Sequence, residues 1–325
     1  MIDHFQRSAL NFFAASPVDR QALMRRDAGW LAEQLHADAT RFVPVWRAQN
    51  LITSESEPEA VLPTYNEIEV YLDQSSPILL GQLDGTTYFA LGLPAQDETI
   101  PEQFNPVGIF RDLRLQTDKL PVGVADILVF GKGMAYWHQR HRYCGDCGHP
   151  TQSQEAGYML ECTSEECQAK QFPRMDPAII VLVYDGERCL LARQPTWPEG
   201  RYSVVAGFVE PGESLEDAVL REVAEETNVT VSSVHYHSSQ PWPFPSSLML
   251  GYMAQAASTD IHLNDAELEH AHWLSRADIV QRVKDRTLMV PPPISISHRL
   301  IETWFNQGNQ GTLSDLLKET NKINN

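Results

Sequence analysis

The chain is organised around the stretch Gly207-Phe208-Val209-Glu210-Pro211-Gly212-Glu213 and the segment that continues from it to Val229. Five residues separate Gly207 from Glu213, and seven more separate Glu213 from Arg221. Arg221 in turn opens a run that contains three further glutamates. A glycine loop, an isolated glutamate, an arginine and a glutamate cluster at fixed spacing are together much more specific than any one of these parts.

A helix is predicted to begin after Ser214, because Ser214 and Asp217 have the spacing of a capping box. Its apolar residues recur at helical spacing and predict one buried stripe. These residues are Leu215, Val219 and Val223.

Glu222, Glu225 and Glu226 lie at positions i, i+3 and i+4, which places their carboxylates side by side in the last turn of that helix. The helix dipole disfavours negative charge there, and each like-charge pair costs roughly 0.2–0.5 kcal/mol. The cluster is either a solvated acidic face or the ligand set of a hard divalent cation, such as Mg²⁺ or Mn²⁺, that prefers oxygen. The complete spaced pattern favours the metal site.

Length, charge and hydropathy limit the class of protein. A chain of 325 residues is long enough for two or three domains. It contains no apolar run near the ~20 residues of a membrane span and no signal-peptide pattern at Met1, so we expect a cytoplasmic protein without a membrane partner. The net charge of −18 argues against broad binding to a nucleic-acid backbone, but it allows an anionic substrate that is bound through cations.

Four of the five cysteines form two close pairs, with fourteen residues between the pairs. The pairs are Cys144 with Cys147 and Cys162 with Cys167. This spacing predicts a zinc ribbon, in which four thiolates hold Zn²⁺; disulfides or free thiols are the alternative, which the lack of an export signal disfavours. Four protein ligands leave no open coordination position, so the zinc would be structural.

The remaining sequence alternates between helix and strand patterns. Residues 1–135 predict an α+β domain with a hairpin turn at Asp84-Gly85 and a helix starting near Pro121, and they carry no motif linked to chemistry. From Phe172 onwards, short strands and helices predict a sheet covered by helices on both faces.

The pattern around Gly207 resembles the Nudix box, G-x5-E-x7-R-E-U-x-E-E-x-G-U, in which U is apolar. Every position matches except the final glycine, which is Asn228 in this chain. Asparagine is the next best residue for a left-handed helix C-cap, so this departure is mild.

The resemblance implies an α/β fold: a Nudix α/β/α sandwich preceded by an α+β, Nudix-like N-terminal domain and a zinc ribbon. The domain boundaries expected from the sequence are 1–135 for the N-terminal domain, 140–170 for the ribbon, 172–305 for the Nudix domain and 306–325 for a polar tail.

A second motif follows the Nudix box, in the segment Ser239-Gln240-Pro241-Trp242-Pro243-Phe244-Pro245-Ser246-Ser247. Prolines at alternate positions stiffen the backbone and fix the directions of Trp242 and Phe244. Physical reasoning alone leaves a rigid crossover, a packing corner and a ligand site open. In this position the segment resembles the S-Q-P-W-P-F-P-x-S signature of the NADH pyrophosphatase and NAD-capped RNA hydrolase family. The resemblance is strongest between Cys144 and Ile301 and weak before Val122.

The family resemblance also implies the site residues. The catalytic and metal-binding groups would be Glu222, Glu225, Glu226, Glu267, Arg221 as an orienting residue, and the backbone carbonyl of Ala206. The substrate-binding residues would be Phe172, which stacks on a base, Gln240, Pro241, Trp242, Pro243, Phe244, Pro245, Ser246, Ser247, Ser297 and, near the adenosine half, Glu155.

The implied reaction is metal-dependent hydrolysis of NADH or NAD⁺ to nicotinamide mononucleotide and AMP, together with removal of NAD caps from RNA, by a homodimer. The alternatives are a Nudix hydrolase of another dinucleotide (ADP-ribose, a diadenosine polyphosphate or a flavin dinucleotide) and a zinc-ribbon binding module with an inactive Nudix domain. The complete carboxylate set and the acidic net charge disfavour the binding module.

Overall fold

A computed structural model describes residues 3–72, 75–94, 104, 106–264 and 267–322. The chain contains two compact units, each built from separate segments. The N-terminal unit comprises Ala15–Met175 and Trp242–Ser246, and the C-terminal unit comprises Met1–Ala14, Asp176–Pro241 and Ser247–Asn325. Within the described residues, no helix is both long and apolar enough to cross a membrane.

The helices and strands that precede residue 176 have the following bounds: α1 (His4–Ala9), α2 (Ala28–His36), β1 (Arg41–Trp46), β2 (Gln49–Ile52), α3 (Tyr65–Leu72), β3 (Ile78–Leu83), β4 (Thr86–Gly92), β5 (Ile109–Arg111), α4 (Val122–Arg140), β6 (Thr151–Gln154), β7 (Met159–Cys162) and β8 (Lys170–Gln171). All of them except α1 belong to the N-terminal unit.

The N-terminal unit is built on a five-stranded sheet in the order β3-β4-β1-β2-β5. The β1–β4 pair is parallel and the other neighbouring pairs are antiparallel. The predicted Asp84-Gly85 turn joins β3 to β4, and α4 begins after Pro121 as expected. Helix α4 approaches the sheet closely at Gly131, where an added Cβ would lie 2.9 Å from Val43 Cγ1. A separate sheet of β6, β7 and β8 forms the ribbon.

The remaining elements form the C-terminal unit: β9 (Asp176–Asp185), β10 (Arg188–Arg193), β11 (Val205–Phe208), α5 (Leu215–Thr227), β12 (Val231–Trp242), β13 (Ser247–Ala256), β14 (His270–Ser275), α6 (Arg276–Lys284), α7 (Ile296–Phe305) and α8 (Leu313–Lys322). Their sheet has the order β12-β13-β9-β10-β14, and β11 also pairs with β9.

Strand β9 lies at the centre of this sheet and has helices on both of its faces. Ile179, Val181 and Val183 point into the core that α5 closes. Ile180 and Leu182 point into the opposite core, which α6, α7 and α8 close. A strand that is buried on both faces has no polar positions to alternate with apolar ones, which explains its continuous apolar sequence. The α/β/α sandwich is therefore confirmed.

Helix α5 has the predicted ends. Ser214 Oγ accepts a hydrogen bond from Asp217 N, and the Asp217 carboxylate bonds back to Ser214 N, which completes the capping box. Asn228 ends the helix with φ 61° and ψ 7°, in the left-handed region. The residue that departs from the Nudix box therefore adopts the conformation for which the glycine is normally required.

The C-terminal residues differ from the polar tail that the sequence predicts. Residues 313–322 form α8, in which Leu313 and Leu316 are buried and Leu317 packs beside them. Asn306 caps the helix by accepting a hydrogen bond of 2.9 Å from Leu313 N. A few leucines at helical spacing are enough to pack an otherwise polar helix against the core. The high polar content of the segment led to the prediction of a tail without a helix.

Replacement of Asn228 tests the left-handed cap. Asn228→Ala is expected to lower the Tm by about 2–4 °C, because a Cβ without a compensating polar group costs roughly 1–2 kcal/mol in this conformation. Asn228→Gly is expected to match or exceed the wild type, since glycine adopts the conformation freely. Calorimetric unfolding measures both variants, and equal Tm values for them would contradict the account of the cap.

Candidate active site

The candidate site lies where strand β11 meets helix α5. A Cβ added to Gly207 would lie 1.9 Å from Cδ of Glu222, so the Glu222 carboxyl group occupies the space that any other residue would fill. Strand β11 holds Gly207 in place by pairing it with Ile179 of β9. A larger residue at the glycine that begins the motif would therefore displace a side chain fifteen positions later.

Arg221 links this loop to the helix. Its Nε lies 2.6 Å from Glu213 Oε1, and its Nη1 lies 2.8 Å from Glu222 Oε1 and 3.0 Å from Glu225 Oε2. Its Nη2 donates to the carbonyl of Phe208 at 2.9 Å. The hydrogen bond from Arg221 lowers the pKa of Glu213 to about 2. Arg221 therefore contacts two of the expected metal-binding glutamates directly, and its bonds to Glu213 and Phe208 fix its own position.

The glutamates form a negative, partly buried cluster. Burial raises the pKa of Glu222, the charges of Glu225 and Glu267 act in the same direction, and Arg221 opposes them. Glu226, on the same helix, is only 4% exposed. Glu225 and Glu267, by contrast, are exposed. Carboxylates that repel one another are a donor set that a hard divalent cation stabilises. The residues present therefore fit such an ion, and the carbonyl of Ala206 adjoins Gly207 in β11.

Two of the expected substrate-binding residues, Gln240 and Ser297, are buried next to the start of α7. Gln240 is 1% exposed, its Nε2 donates to the carbonyl of Ile294 at 2.8 Å, and its Oε1 accepts from Ile296 N at 2.8 Å. Ser297 is 2% exposed, and its Oγ lies 2.7 Å from Ser295 Oγ. Both side chains bond to the start of α7 and help to position that helix, and their contact with substrate stays a prediction.

Most of the other expected recognition residues lie in the N-terminal unit. Phe172 is 53% exposed, which excludes a core role in this chain and leaves its ring available for stacking. Glu155 pairs with Arg26 at 2.7 Å, so that carboxylate is engaged with the protein itself. The turn Trp242–Ser246 presents the Trp242 and Phe244 rings edge to face, with centroids 5.0 Å apart. Pro241 and Ser247, which flank this turn, lie in β12 and β13.

The four clustered cysteines have the arrangement of a zinc site. Their sulfurs all lie within 4.8 Å of one another, and none forms a disulfide. The Cys144–Cys167 and Cys147–Cys162 sulfur separations are 3.8 and 3.4 Å, close to the ~3.8 Å edge of a tetrahedron with Zn–S bonds of ~2.3 Å. Backbone N–H groups of Asp146 and Cys147 lower the pKa of the Cys144 thiol to about 7, which favours the thiolate. The residues fit a structural zinc ion.

The cysteine site and the glutamate site differ in how far their ligands converge. Among the residues that the structure describes, only the cysteines form a group of three or more potential ligands with all donor atoms within 4.8 Å. In the glutamate site, Arg221 Nη1 lies between Glu222 and Glu225 and bonds to one oxygen of each.

Family models match three consecutive regions of the chain. An NADH pyrophosphatase-like rudimentary NUDIX domain matches residues 39–137, an NADH pyrophosphatase zinc ribbon domain matches 139–172, and a NUDIX domain matches 174–292.

Curated relatives cover much of the chain. The NAD-capped RNA hydrolase NUDT12 of Macaca fascicularis is 34% identical over 338 aligned positions, which cover 91% of this chain and 73% of that protein. The mitochondrial NAD(P)H pyrophosphatase NUDT13 of Homo sapiens is 39% identical, and the alignment covers 61% of this chain and 59% of NUDT13. The NAD-capped RNA hydrolase NudC of Pseudomonas fluorescens is 37% identical, and the alignment covers 62% of this chain and 72% of NudC. The chain belongs to the NADH pyrophosphatase and NAD-capped RNA hydrolase family of Nudix hydrolases.

Proposed function

We propose that this hydrolase cleaves the pyrophosphate bond of NADH and NAD⁺ to give nicotinamide mononucleotide and AMP, and that it removes NAD caps from RNA 5′ ends. The observation that carries the proposal is the glutamate cluster of α5, packed over Gly207 and oriented by Arg221. The names of the relatives, which are NAD-capped RNA hydrolases and an NAD(P)H pyrophosphatase, support the substrate.

The carboxylates suit the chemistry of a pyrophosphate. Its negative charge repels an attacking water, and bound divalent cations supply both neutralisation of that charge and an activated water. Glu222, Glu225, Glu226, Glu267 and the carbonyl of Ala206 would hold these cations, which we propose to be Mg²⁺ or Mn²⁺.

The protein's own groups orient the ligands and accept the proton. Arg221 keeps Glu222 and Glu225 in fixed directions through hydrogen bonds of 2.8 and 3.0 Å. Glu226 is our first candidate for the group that takes the proton of the attacking water, and Glu267 is the second. This order rests on position: Glu226 is buried and lies on α5 beside Glu222 and Glu225.

We assign recognition of the dinucleotide to aromatic rings of the N-terminal unit. The exposed Phe172 offers a face on which a base can stack, and Trp242 and Phe244 hold fixed directions in their turn. Assembly as a homodimer and a cytoplasmic location stay predictions from the sequence.

Substrate and catalytic residue are tested in one assay. With Mg²⁺ or Mn²⁺, the purified chain is expected to convert NADH to reduced nicotinamide mononucleotide and AMP, and to cleave it in preference to ADP-ribose, diadenosine polyphosphates and flavin dinucleotide. Chromatography identifies the products. Glu226→Gln is expected to reduce kcat by at least about a hundredfold, because it removes a metal ligand or base at nearly constant shape.

Glu216→Gln is the matched control, since it neutralises an exposed carboxylate in the first turn of the same helix. Preference for another dinucleotide would contradict the proposed substrate. A Glu226→Gln enzyme within a few-fold of wild type at saturating metal would contradict the role of Glu226.

Recognition is tested separately by Phe172→Ala. Loss of a base–aromatic stack costs on the order of 1–3 kcal/mol, so KM for NADH is expected to rise roughly ten- to a hundredfold while kcat changes little. NAD-capped RNA is expected to show the same shift, because it presents the same dinucleotide end.

The control is Tyr143→Ala, which removes another exposed aromatic side chain of the N-terminal unit. Steady-state kinetics on both substrates measure the effect. A fall in kcat with unchanged KM would show that Phe172 does not stack on the substrate.

A further inference from the structure

The turn Trp242–Ser246 belongs to the N-terminal unit, although β12 and β13, which it joins, lie almost wholly in the C-terminal unit. Phe244 N donates to the carbonyl of Trp242 at 2.7 Å, which closes the turn tightly. Pro243 lies over α4, where an added Cβ on Gly133 would be 3.4 Å from Pro243 Cβ. The helix therefore offers a nearly bare backbone against which the turn packs.

A buried lysine of α4 faces the Phe244 ring. Lys132 is 4% exposed, and its Nζ lies 4.0 Å from the ring centroid. A lysine is rarely buried this deeply unless its ammonium group has a partner. An ammonium within about 6 Å of an aromatic centroid is attracted by the negative face of the ring, and more strongly where water is excluded.

The nearby carboxylate of Asp112 forms an ion pair with this lysine but no hydrogen bond to it. Lys132 Nζ and Asp112 Oδ1 are 3.8 Å apart, which is too far for a hydrogen bond. Asp112 accepts its hydrogen bond from Arg114, whose Nε lies 2.9 Å from Oδ2. The Arg114 guanidinium also approaches Phe244, with Cζ 5.5 Å from the centroid. Two cations thus converge on one aromatic ring, and the carboxylate between them neutralises part of their charge.

The buried position of this ammonium group disfavours its charged form. Removal from water lowers the pKa of Lys132 to about 8; the charge of Asp112 opposes that shift and the charge of Arg114 adds to it. A methionine or leucine would fill the same space without this cost, so the positive charge calls for an explanation beyond packing.

We propose that Lys132 is a positioning residue for substrate binding: its ammonium holds the Phe244 ring and thereby fixes the turn Trp242–Ser246 on α4. The inference rests on the proposed function, in which this turn recognises the dinucleotide. It also assigns a task to α4 of the N-terminal unit, which supplies the ammonium group and the helix surface that hold the recognition turn.

The test uses the full chain with Lys132→Met, which removes the charge and keeps the length and apolar stem of the side chain. Ile127→Ala is the control, because it removes a buried side chain from another face of the same helix. Hydrogen–deuterium exchange followed by mass spectrometry reports on the amides of the turn without any substrate. Steady-state kinetics with NADH then separate KM from kcat.

In Lys132→Met, exchange in peptides that cover residues 239–249 is expected to become about tenfold faster, with little change in α4. KM is expected to rise roughly two- to thirtyfold, the range for loss of a cation–π contact, and kcat to stay within about twofold. Ile127→Ala is expected to accelerate exchange in α4 and its sheet without the selective rise in KM.

Unchanged exchange in the turn, or the same exchange pattern in both variants, would overturn the role of Lys132. Since exchange is measured without substrate, that result is independent of whether NADH is the substrate. If the wild type cleaves another dinucleotide instead, the proposed substrate fails, and the KM comparison is made with the dinucleotide that is cleaved.

Discussion

The close approach of Glu222 to Gly207 is the constraint on which the candidate active site depends. The carboxyl group lies 1.9 Å from the position that a Cβ would take, so any larger residue at position 207 must displace the end of the Glu222 side chain. Strand β11 fixes one side of this contact by pairing with the central strand β9. Helix α5 fixes the other side, because its apolar stripe is buried against the same sheet. The fold therefore brings a carboxylate against backbone at the end of a strand.

Arg221 stabilises the neighbouring glutamate carboxylates of the site. Neighbouring carboxylates in the last turn of a helix repel one another and are opposed by the helix dipole. The guanidinium offsets this repulsion by bonding to Glu213, Glu222 and Glu225. A site that gives up local stability in this way is more consistent with function than with folding, since a solvated acidic face would need neither the glycine nor the arginine.

The sequence predicted the features that arise from local geometry. The capping box at Ser214, the left-handed cap at Asn228 and the hairpin at Asp84-Gly85 each depend on a few adjacent residues, and all three are present in the structure. The spacing from Gly207 to Glu226 was also informative, because one loop and one helix carry the whole pattern.

The features that depend on distant packing were not predictable. Gln240 matches a recognition motif, but its burial against the backbone of 294–296 depends on where α7 docks. Likewise, Lys132 stands in an apolar helical pattern as an ordinary charged residue, and only the structure places the Phe244 ring over it. Buried leucines in α8 were concealed by their polar neighbours.

We infer that the contact with Gly207 places Glu222 as a ligand of a divalent cation, and Mn²⁺ binding to Gly207→Ala tests this role. The added methyl group must displace the flexible end of Glu222, so the fold is expected to persist while the ligand is lost from its position. Electron paramagnetic resonance titration is expected to show Mn²⁺ affinity reduced roughly 10- to 100-fold, with an unchanged circular dichroism spectrum. Gly29→Ala, at a helical glycine of α2 with no contact closer than 3.4 Å, is the control and is expected to bind Mn²⁺ as the wild type does. Wild-type Mn²⁺ affinity in a correctly folded Gly207→Ala protein would contradict the account.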